Sequence, residues 1–497
     1  MEFIDTYGNK KHIETRFHPE SRLDYRAESV VQLFEDDYAL LKHYLTHHQT
    51  RQVPRIIELK HYAEGINHRI FTGEQRRKDQ DMEDARVAHN FAQKIVTFRK
   101  GYLVGNPIKI EYSDGTTRSK KDIALNNIAV SNNFDNLNRE VATDFLKFGK
   151  AFELAYYNES EEIKFKRTSP EQSFIIRSND LDNRKIAGVY YFQSHPLDAS
   201  SLKVQVRDDK WVYHLEFDGE SIKEEKPNKL HGFEHVPMIE HRYNEEGLGV
   251  YETELDLIDL YDMSQSDTAN YMADLADAIL AIFGDMEFPP DVNTAAKQIE
   301  YMKSMRKARL MQLVAPKNAD GKEGHVDAKY LYKQYDVSGT ESYKDRIMRD
   351  IYDLTLTPNT TDENFSGQSS GEAMKYKHFG LDQDRATTES LFESTLRERI
   401  ELAVDVYPKV ADEDAAVFSD FDMSKLKITF TPNLPKSDAE VVTMAKQLYG
   451  MVSDETVLRL LKTVTNVDAE EELDRMKDLQ PEPRIEKEGA EDGESEA

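Results

Sequence analysis

The sequence predicts an α+β protein that is predominantly helical. Apolar residues recur at helical spacing near the start of the chain and again from Val250 onward. Between residues 150 and 243 the period changes to two, with charged or Gly/Asp/Asn turns between the runs. No apolar run approaches the roughly 18 residues that a membrane-spanning helix requires.

In chain order, residues 1–28 read as irregular and polar. Val30, Leu33, Phe34, Leu40, Leu41 and Tyr44 then suggest a helix, and a second covers 54–63. The interval 82–100 is a stronger helix. Val87, Phe91, Ile95 and Phe98 stand at i, i+4, i+8 and i+11, Arg99 and Lys100 suit the last turn, and Gly101 can end it. "GYLVGNP" at 101–107 breaks the chain. "AFELAYY", "SFIIR", "IAGVYYF", "LKVQV" and "WVYHLEF" form one antiparallel meander, within which the single Trp211 is expected to pack. Helical spacing resumes at 250–282 through Leu255, Ile258, Tyr261, Ala269, Met272 and Ala276, until Gly284 and Pro289-Pro290 stop it. A mixed insert follows, with the basic stretch "KSMRKAR" at 303–309. A helix at 339–355 carries Tyr343, Ile347, Ile351 and Leu354, and a long one covers 370–406. A strand at 426–432 leads to helices at 436–451, 454–464 and 468–479. The tail from Gln480, rich in Pro, Glu and Gly, reads as disordered.

Length and composition bound the function. A chain of 497 residues can form several domain-sized units or one elongated body. With no cysteine there is no disulfide, thiolate metal site or cysteine nucleophile, and residues 1–5 lack the regions of a signal peptide. The net charge of −28 is opposite to the basic footprint of a protein that grips nucleic acid. The acidity is uneven. Between Arg242 and Lys297 there is no Lys or Arg, while 13 Asp and Glu fall there. Such a run is either a solvated acidic helix face or a surface that repels anions.

Three spellings imitate chemical sites. Gly367-Gln368-Ser369-Ser370-Gly371 is G-x-S-x-G, which would make Ser369 the nucleophile of a serine hydrolase. The elbow needs a buried strand before the serine, and 362–368 is polar and turn-forming, so Ser369 or Ser370 is better placed as a helix N-cap. Asp362, Asn364, Ser366 and Gly367 match the start of a calcium loop, but position 12, which needs a glutamate, is Ala373. His231-x-x-Glu234-His235 spells an inverted zinc motif. Gly232 and Val236-Pro237 oppose a helix there, and on a strand the two histidines would stand about 13 Å apart. No phosphate loop or dinucleotide fingerprint is present. The expectation is no enzyme, no cofactor and no metal.

Thr357-Pro-Asn359, Asp362, Phe365-Ser-Gly367, Ser370-Gly-Glu-Ala-Met-Lys-Tyr-Lys377 and Gly380-Leu381 together resemble a signature of the portal proteins of tailed double-stranded-DNA bacteriophages. Four more stretches resemble that family in the same order. They are Tyr62-Ala-Glu-Gly65 with Arg86-Val-Ala-His-Asn90, Gly101-Tyr-Leu-Val-Gly-Asn-Pro107, Leu257-Ile-Asp-Leu-Tyr-Asp262 with Ser266-Asp-Thr-Ala-Asn270, and "YKQYDVSGTESYKDR" at 332–346. The resemblance implies the siphophage-type portal fold, a ring typically of twelve subunits at one capsid vertex, through whose axial channel DNA is packaged and ejected. It further implies a wing at 1–249, a first stem helix at 250–283, a clip at 284–337, a second stem helix at 338–355 and a tunnel loop at 356–369. A long wing helix with its return strand follows at 370–433, then a helical crown at 434–479, with 480–497 as an acidic tail. Gly380 is a natural place for the long helix to bend.

The implied partners are further copies of the chain, double-stranded DNA held without sequence preference, the terminase large subunit, the head-to-tail adaptor, and the major capsid and scaffold proteins. No membrane is implied. The protein is expected in the virion, assembled in the host cytoplasm. The tunnel-loop residues are Thr357, Pro358, Asn359, Asp362, Glu363, Asn364, Phe365, Ser366, Gly367, Gln368 and Ser369. Asp256, Asp259, Asp262, Asp267, Asp274 and Asp277 are candidates for an acidic stem lining, and Lys303, Arg306, Lys307 and Arg309 for a contact of the clip with a partner. From Leu356 to Met374 there is no Lys or Arg, while Asp362, Glu363 and Glu372 are acidic. Cationic contacts to phosphate create affinity and would brake a moving polyanion, so an acidic lining suits passage.

Overall fold

The computed structural model describes residues 2–4, 10–12, 14–72, 84–113, 119–160, 162–195, 198–276, 279–283, 288–307, 327–331, 336–359, 371–410, 417–418, 420–433, 438–465 and 467–479. The chain divides into one unit at Met1–Pro432 and a second at Asn433–Ala497.

The alternating runs of 150–243 build two sheets, where the sequence suggested one meander. The larger has six strands in the spatial order Ile222–Leu230, Trp211–Phe217, Asp198–Arg207, Lys185–His195, Ser173–Ser178 and Tyr25–Ala27, antiparallel except for the last pair. Residues 1–28 are therefore not wholly irregular, because Tyr25–Ala27 adds an edge strand. Phe174, Ile176, Val189, Val204, Val206 and Leu215 form the sheet's buried face, covered by Leu33, Leu41 and Leu45; the last two lie on the helix Glu35–His47. The opposite edge, Ile222–Leu230, is exposed almost throughout, and its lysines and Pro227 guard it against pairing with another chain. Trp211 stands opposite Leu230 at the open end of this sheet and is 39% exposed, not packed as expected.

The second sheet orders Met238–Arg242, Lys150–Tyr157 and Ile163–Thr168. The two sheets meet where Met238 lies over Gly188. A Cβ on Gly188 would stand 2.6 Å from that of Met238, so only glycine allows the approach. Helices Phe134–Phe148, Phe91–Val104 and Val53–Ala63 share the main core with this sheet and with the strand pair Lys109–Tyr112 and Leu426–Thr429.

The helix Gly371–Val410 extends the main body and runs unbroken through Gly380. Its Arg399, fully buried, is held by a closed set of partners. It donates to both Glu153 oxygens at 2.7 and 2.5 Å and to Asn138 Oδ1 at 2.7 Å, and stands 4.8 Å from the Phe134 ring centroid. Burial alone would raise the Glu153 carboxyl, but Arg399 and His241 outweigh it and hold it at about 2.

Two helix boundaries differ from expectation for visible reasons. The helix expected at 82–100 begins at Phe91 and continues to Val104. Residues 84–90 are extended, because their amide donors are taken up elsewhere, as described below, and Asn90 caps the helix by accepting from Gln93 N at 2.9 Å. Gly101 stays inside it. The helix expected to reach Ile282 ends at Ala276, and Ile279–Phe283 is a strand paired antiparallel with Asp327–Leu331. That apolar, β-prone run, Ile279-Leu-Ala-Ile-Phe283, was the available signal.

The second unit holds the helices Asp438–Leu448, Asp454–Thr465 and Ala469–Leu479, close to the three expected. The tail 480–497 lies outside the described residues.

Candidate functional site

Five aspartates sit on Leu255–Ala276, and helical geometry sorts them. At about 100° per residue, Asp256, Asp267 and Asp274 share one face, while Asp259 and Asp262 lie on another. Asp256 and Asp267 are exposed. Asp259 and Asp262 are fully buried and spent inside the subunit, so they cannot belong to an exposed lining. Arg16 donates to Asp259 Oδ2 at 2.7 Å, and Tyr62 Oη donates to Asp259 Oδ1 at 2.6 Å. Asp262 accepts from Asn67 Nδ2 and, at 2.9 Å, from the His89 amide. Burial raises the Asp259 carboxyl above its ordinary value although Tyr62 and Arg16 pull it down. Asp256, on the surface, accepts from Arg16 at 3.1 Å. Asp277 and the side chain of Asp274 are outside the described residues.

The amides of the extended chain 84–90 run along this helix in a regular ladder. Ala85 N donates to Asn270 Oδ1 (2.7 Å), Val87 N to Ser266 Oγ (2.9 Å) and His89 N to Asp262 Oδ1. Each step of two extended residues, about 6.6 Å, matches four helical residues, about 6 Å. The stretches 86–90, 257–262 and 266–270, which carried the family resemblance, are thus one another's hydrogen-bond partners.

The second helix of the pair, Val337–Leu354, is capped by Asp336, which accepts from Gly339 N at 2.9 Å. Lys344 donates across to Gln265 on the first helix at 2.9 Å. Phe91 packs its ring against both Tyr261 and Tyr352, and this contact together with Lys344–Gln265 orders the two helices antiparallel.

The second helix ends in a left-handed turn. Leu356 has φ +48°, its amide donates to Asp353 O at 3.0 Å, and Thr357 N donates to Tyr352 O at 2.8 Å. This is a Schellman ending with leucine at the position that glycine favours. Arg99 ties the turn to the long helix by donating to Thr355 O and, at 2.6 Å, to Asp384 Oδ2, which also accepts from Tyr243 Oη at 2.7 Å. Leu356 also lies over Gly380, where an added Cβ would stand 3.1 Å from its Cδ2. Gly380 therefore serves a close approach within a continuous helix.

Of the expected tunnel-loop residues, Thr357 is buried and Pro358 and Asn359 are half-buried. Asp362, Glu363, Asn364, Phe365, Ser366, Gly367, Gln368 and Ser369 lie outside the described residues, as does Arg309. Lys303 is exposed on the helix Ala295–Lys307, which also carries Arg306 and Lys307. The zinc-like spelling falls on irregular chain before Met238, not on a strand. His231 Nδ1 accepts from Phe233 N at 3.1 Å, and His235 lies 3.6 Å from Asp405. Among the described residues no cluster of three or more His, Asp or Glu is arranged to hold a metal ion, and no helix is long and apolar enough to cross a membrane. Sequence reasoning missed Arg16, Asn67 and Arg99, and it placed Leu356 in the tunnel loop without its left-handed turn. Neither the polar setting of Arg16 nor the ordinary helical place of Arg99 gave a signal.

The family described as phage portal protein, SPP1 Gp6-like, matches residues 42–482. The portal protein of Bacillus phage SPP1 is 22% identical over 484 residues, covering 93% of this chain and 90% of that protein. The portal protein of Clostridium phage phiCD119 is 21% identical over 413 residues, covering 78% and 84%. Among solved structures, a chain from the neck of an empty GTA particle computed with C6 symmetry is similar with a TM-score of 0.38 and 13% identity, over 74% of this chain and 89% of that one.

Proposed function

The chain belongs to the SPP1 Gp6-like family of phage portal proteins, and on that premise we propose that twelve copies close into a ring around an axial channel for double-stranded DNA. Portal proteins are structural, non-enzymatic components of the phage particle. The ring occupies one capsid vertex, admits DNA driven by the terminase large subunit, releases it at ejection and carries the head-to-tail adaptor. Leu255–Ala276 and Val337–Leu354 serve as the stem, the chain between them as the clip, 356–369 as the tunnel loop and the second unit as the crown. Major capsid and scaffold proteins meet the outer surface.

The observation that carries this reading is the helix pair itself. Its first helix contains no cation, exposes Asp256 and Asp267, and leads through the clamped Leu356 turn to a segment equally free of Lys and Arg. A polyanion meeting such surfaces finds no phosphate-binding brake. Electron microscopy of the purified chain, with its native mass, tests the ring. Closed rings with a central hole at about twelve times 57.4 kDa are expected, and a monomer at every salt concentration overturns the reading. Within a ring, Asp362→Lys with Glu363→Lys is expected to stall packaging while the ring persists, read as DNA retained per particle. Neutralising Lys303, Arg306, Lys307 and Arg309 is expected to abolish terminase binding in a pull-down.

A further inference from the structure

The strand Lys109–Tyr112 pairs on one side only, with Leu426–Thr429. Ser113 N donates to Lys425 O, so in this antiparallel ladder residues 113, 111 and 109 turn their backbone groups toward that partner. Tyr112, Ile110 and Ile108 turn theirs to the other side. There the Tyr112 amide donates to Asp122 Oδ1 at 2.7 Å, on the helix Lys120–Ser131. Among the described residues nothing bonds the outward amide or carbonyl of Ile110 or Ile108.

Between the rest of this strand and the helix lies a groove of about 610 Å³. Ile108 and Ile110 form one wall, and the buried side chains of Leu125 and Phe134 close it from the core. The facing wall carries Ile123 and Val130, which share one side of the helix at i and i+7 and are 51% and 71% exposed. An open strand edge opposite an exposed apolar stripe is the arrangement that accepts an added β-strand.

One element of the chain lacks a sheet to join. Glu2–Ile4 and Lys10–His12 pair antiparallel with each other and with no other described strand. A two-stranded hairpin is marginal in water by itself, and a third strand stabilises it. Lys10–His12 is three residues long, as is the open run Ile108–Ile110. Arg16, four residues past that strand, is held by Tyr62, next to Ala63, whose carbonyl accepts from Asn90 at the start of the helix Phe91–Val104. The groove strand follows the other end of that helix, about 20 Å along it. Four extended residues span at most about 14 Å, short of that distance.

We propose that the hairpin of one copy of this chain lays Lys10–His12 into the groove of the next, as a third strand beside Ile108–Ile110 and under Ile123 and Val130. Such a contact is heterologous, so repeated by rotation it closes into a ring. The inference rests on the ring reading and names a contact that links its neighbours.

The chain has no cysteine, so introduced thiols are the only ones. Lys11→Cys and Val130→Cys chains are mixed in equal amounts, assembled, treated with a short bismaleimide and resolved on a denaturing gel. Linked dimers are expected from the mixture, and a ladder of linked copies from the double variant in one chain. A link within single copies of the double variant, with none in the mixture, overturns the exchange between copies. Rings without any link overturn the docking and leave the ring standing, whereas an unchanged chain that never assembles overturns both. Val130→Glu, at an exposed site, is expected to need about tenfold more protein to form rings while its urea unfolding as a monomer is unchanged. Rings that form equally well from it also overturn the docking.

Discussion

Charged residues serve opposite ends in two regions of this molecule. Around Arg399 every charge is buried and bound to a named partner. Glu153 accepts two hydrogen bonds from the guanidinium, His241 stands 3.2 Å from the same carboxylate, and Asn138 accepts the remaining arginine donor described. On the exposed flanks of the helix pair, Asp267 faces solvent and Arg346 and Arg349 have no carboxylate partner among the described residues. The first arrangement fixes the long helix against the sheet and serves the fold of one chain. The second lies in solvent, where charges add little to the fold of one chain. Burial, not residue type, divides the two roles.

The largest expected effect lies in the buried region. Arg399→Ala leaves Glu153 enclosed with His241 as its one remaining side-chain partner described, and unfolding is expected to need about 3–5 kcal/mol less, measured by urea titration of the single chain. The same pair has a pH signature. Glu153 ionises near 2 in the folded chain, below its ordinary 4.5. Its contribution is therefore complete above about pH 4.5 and is lost as pH falls toward 2. The unchanged chain should lose stability across that window, and the Arg399→Ala chain should show a shallower decline there. Equal slopes would mean that the pair does not govern acid unfolding.

Next in size is Asp262→Ala, which strips the acceptor from Asn67 and from the His89 amide and is expected to destabilise by about 1–3 kcal/mol. Hydrogen exchange should rise at His89 and Val87 before it rises in the large sheet. Exchange that rises uniformly would mean that the ladder along the helix has no local cooperativity. A smaller effect of opposite sign is expected at Leu356. Its left-handed backbone disfavours any residue with a Cβ by about 1–2 kcal/mol, partly offset by the greater freedom of glycine in the unfolded chain. Leu356→Gly should therefore stabilise by about 0.5–1 kcal/mol. A loss instead would show that the leucine's contact over Gly380 outweighs the strain.

Much of the fold was legible from local pattern, and the misses share a cause. The helices at 54–63 and 339–355 and the three of the second unit appear within a few residues of expectation because an apolar stripe alone decides them. Residues 84–90 carried a helical stripe as well, yet Asn270, Ser266 and Asp262, nearly 180 positions later, capture their amides. Spacing cannot reveal a competitor so distant in sequence. The candidate site was legible as charge and not as burial. Six aspartates looked alike in the sequence, and Arg16 and Tyr62 decide that Asp259 is interior.

The smallest expected effect is the sharpest test of the division between regions. Asp262 and Asp267 are five residues apart on one helix and chemically identical. Asn at position 262 should weaken the single chain, because an amide can accept fewer hydrogen bonds than the carboxylate that Asn67 and His89 share. Asn at position 267 should change unfolding by less than about 0.5 kcal/mol, as surface substitutions do. Any further consequence should appear only in assembly, read as the salt dependence of ring formation. Measuring both variants at a protein concentration that holds the chain monomeric, and again where rings form, separates the two roles. If Asn at 267 instead weakens the monomer as much as Asn at 262, exposed and buried carboxylates of this helix act alike. The division of this helix into an interior face and an exposed face then loses its basis.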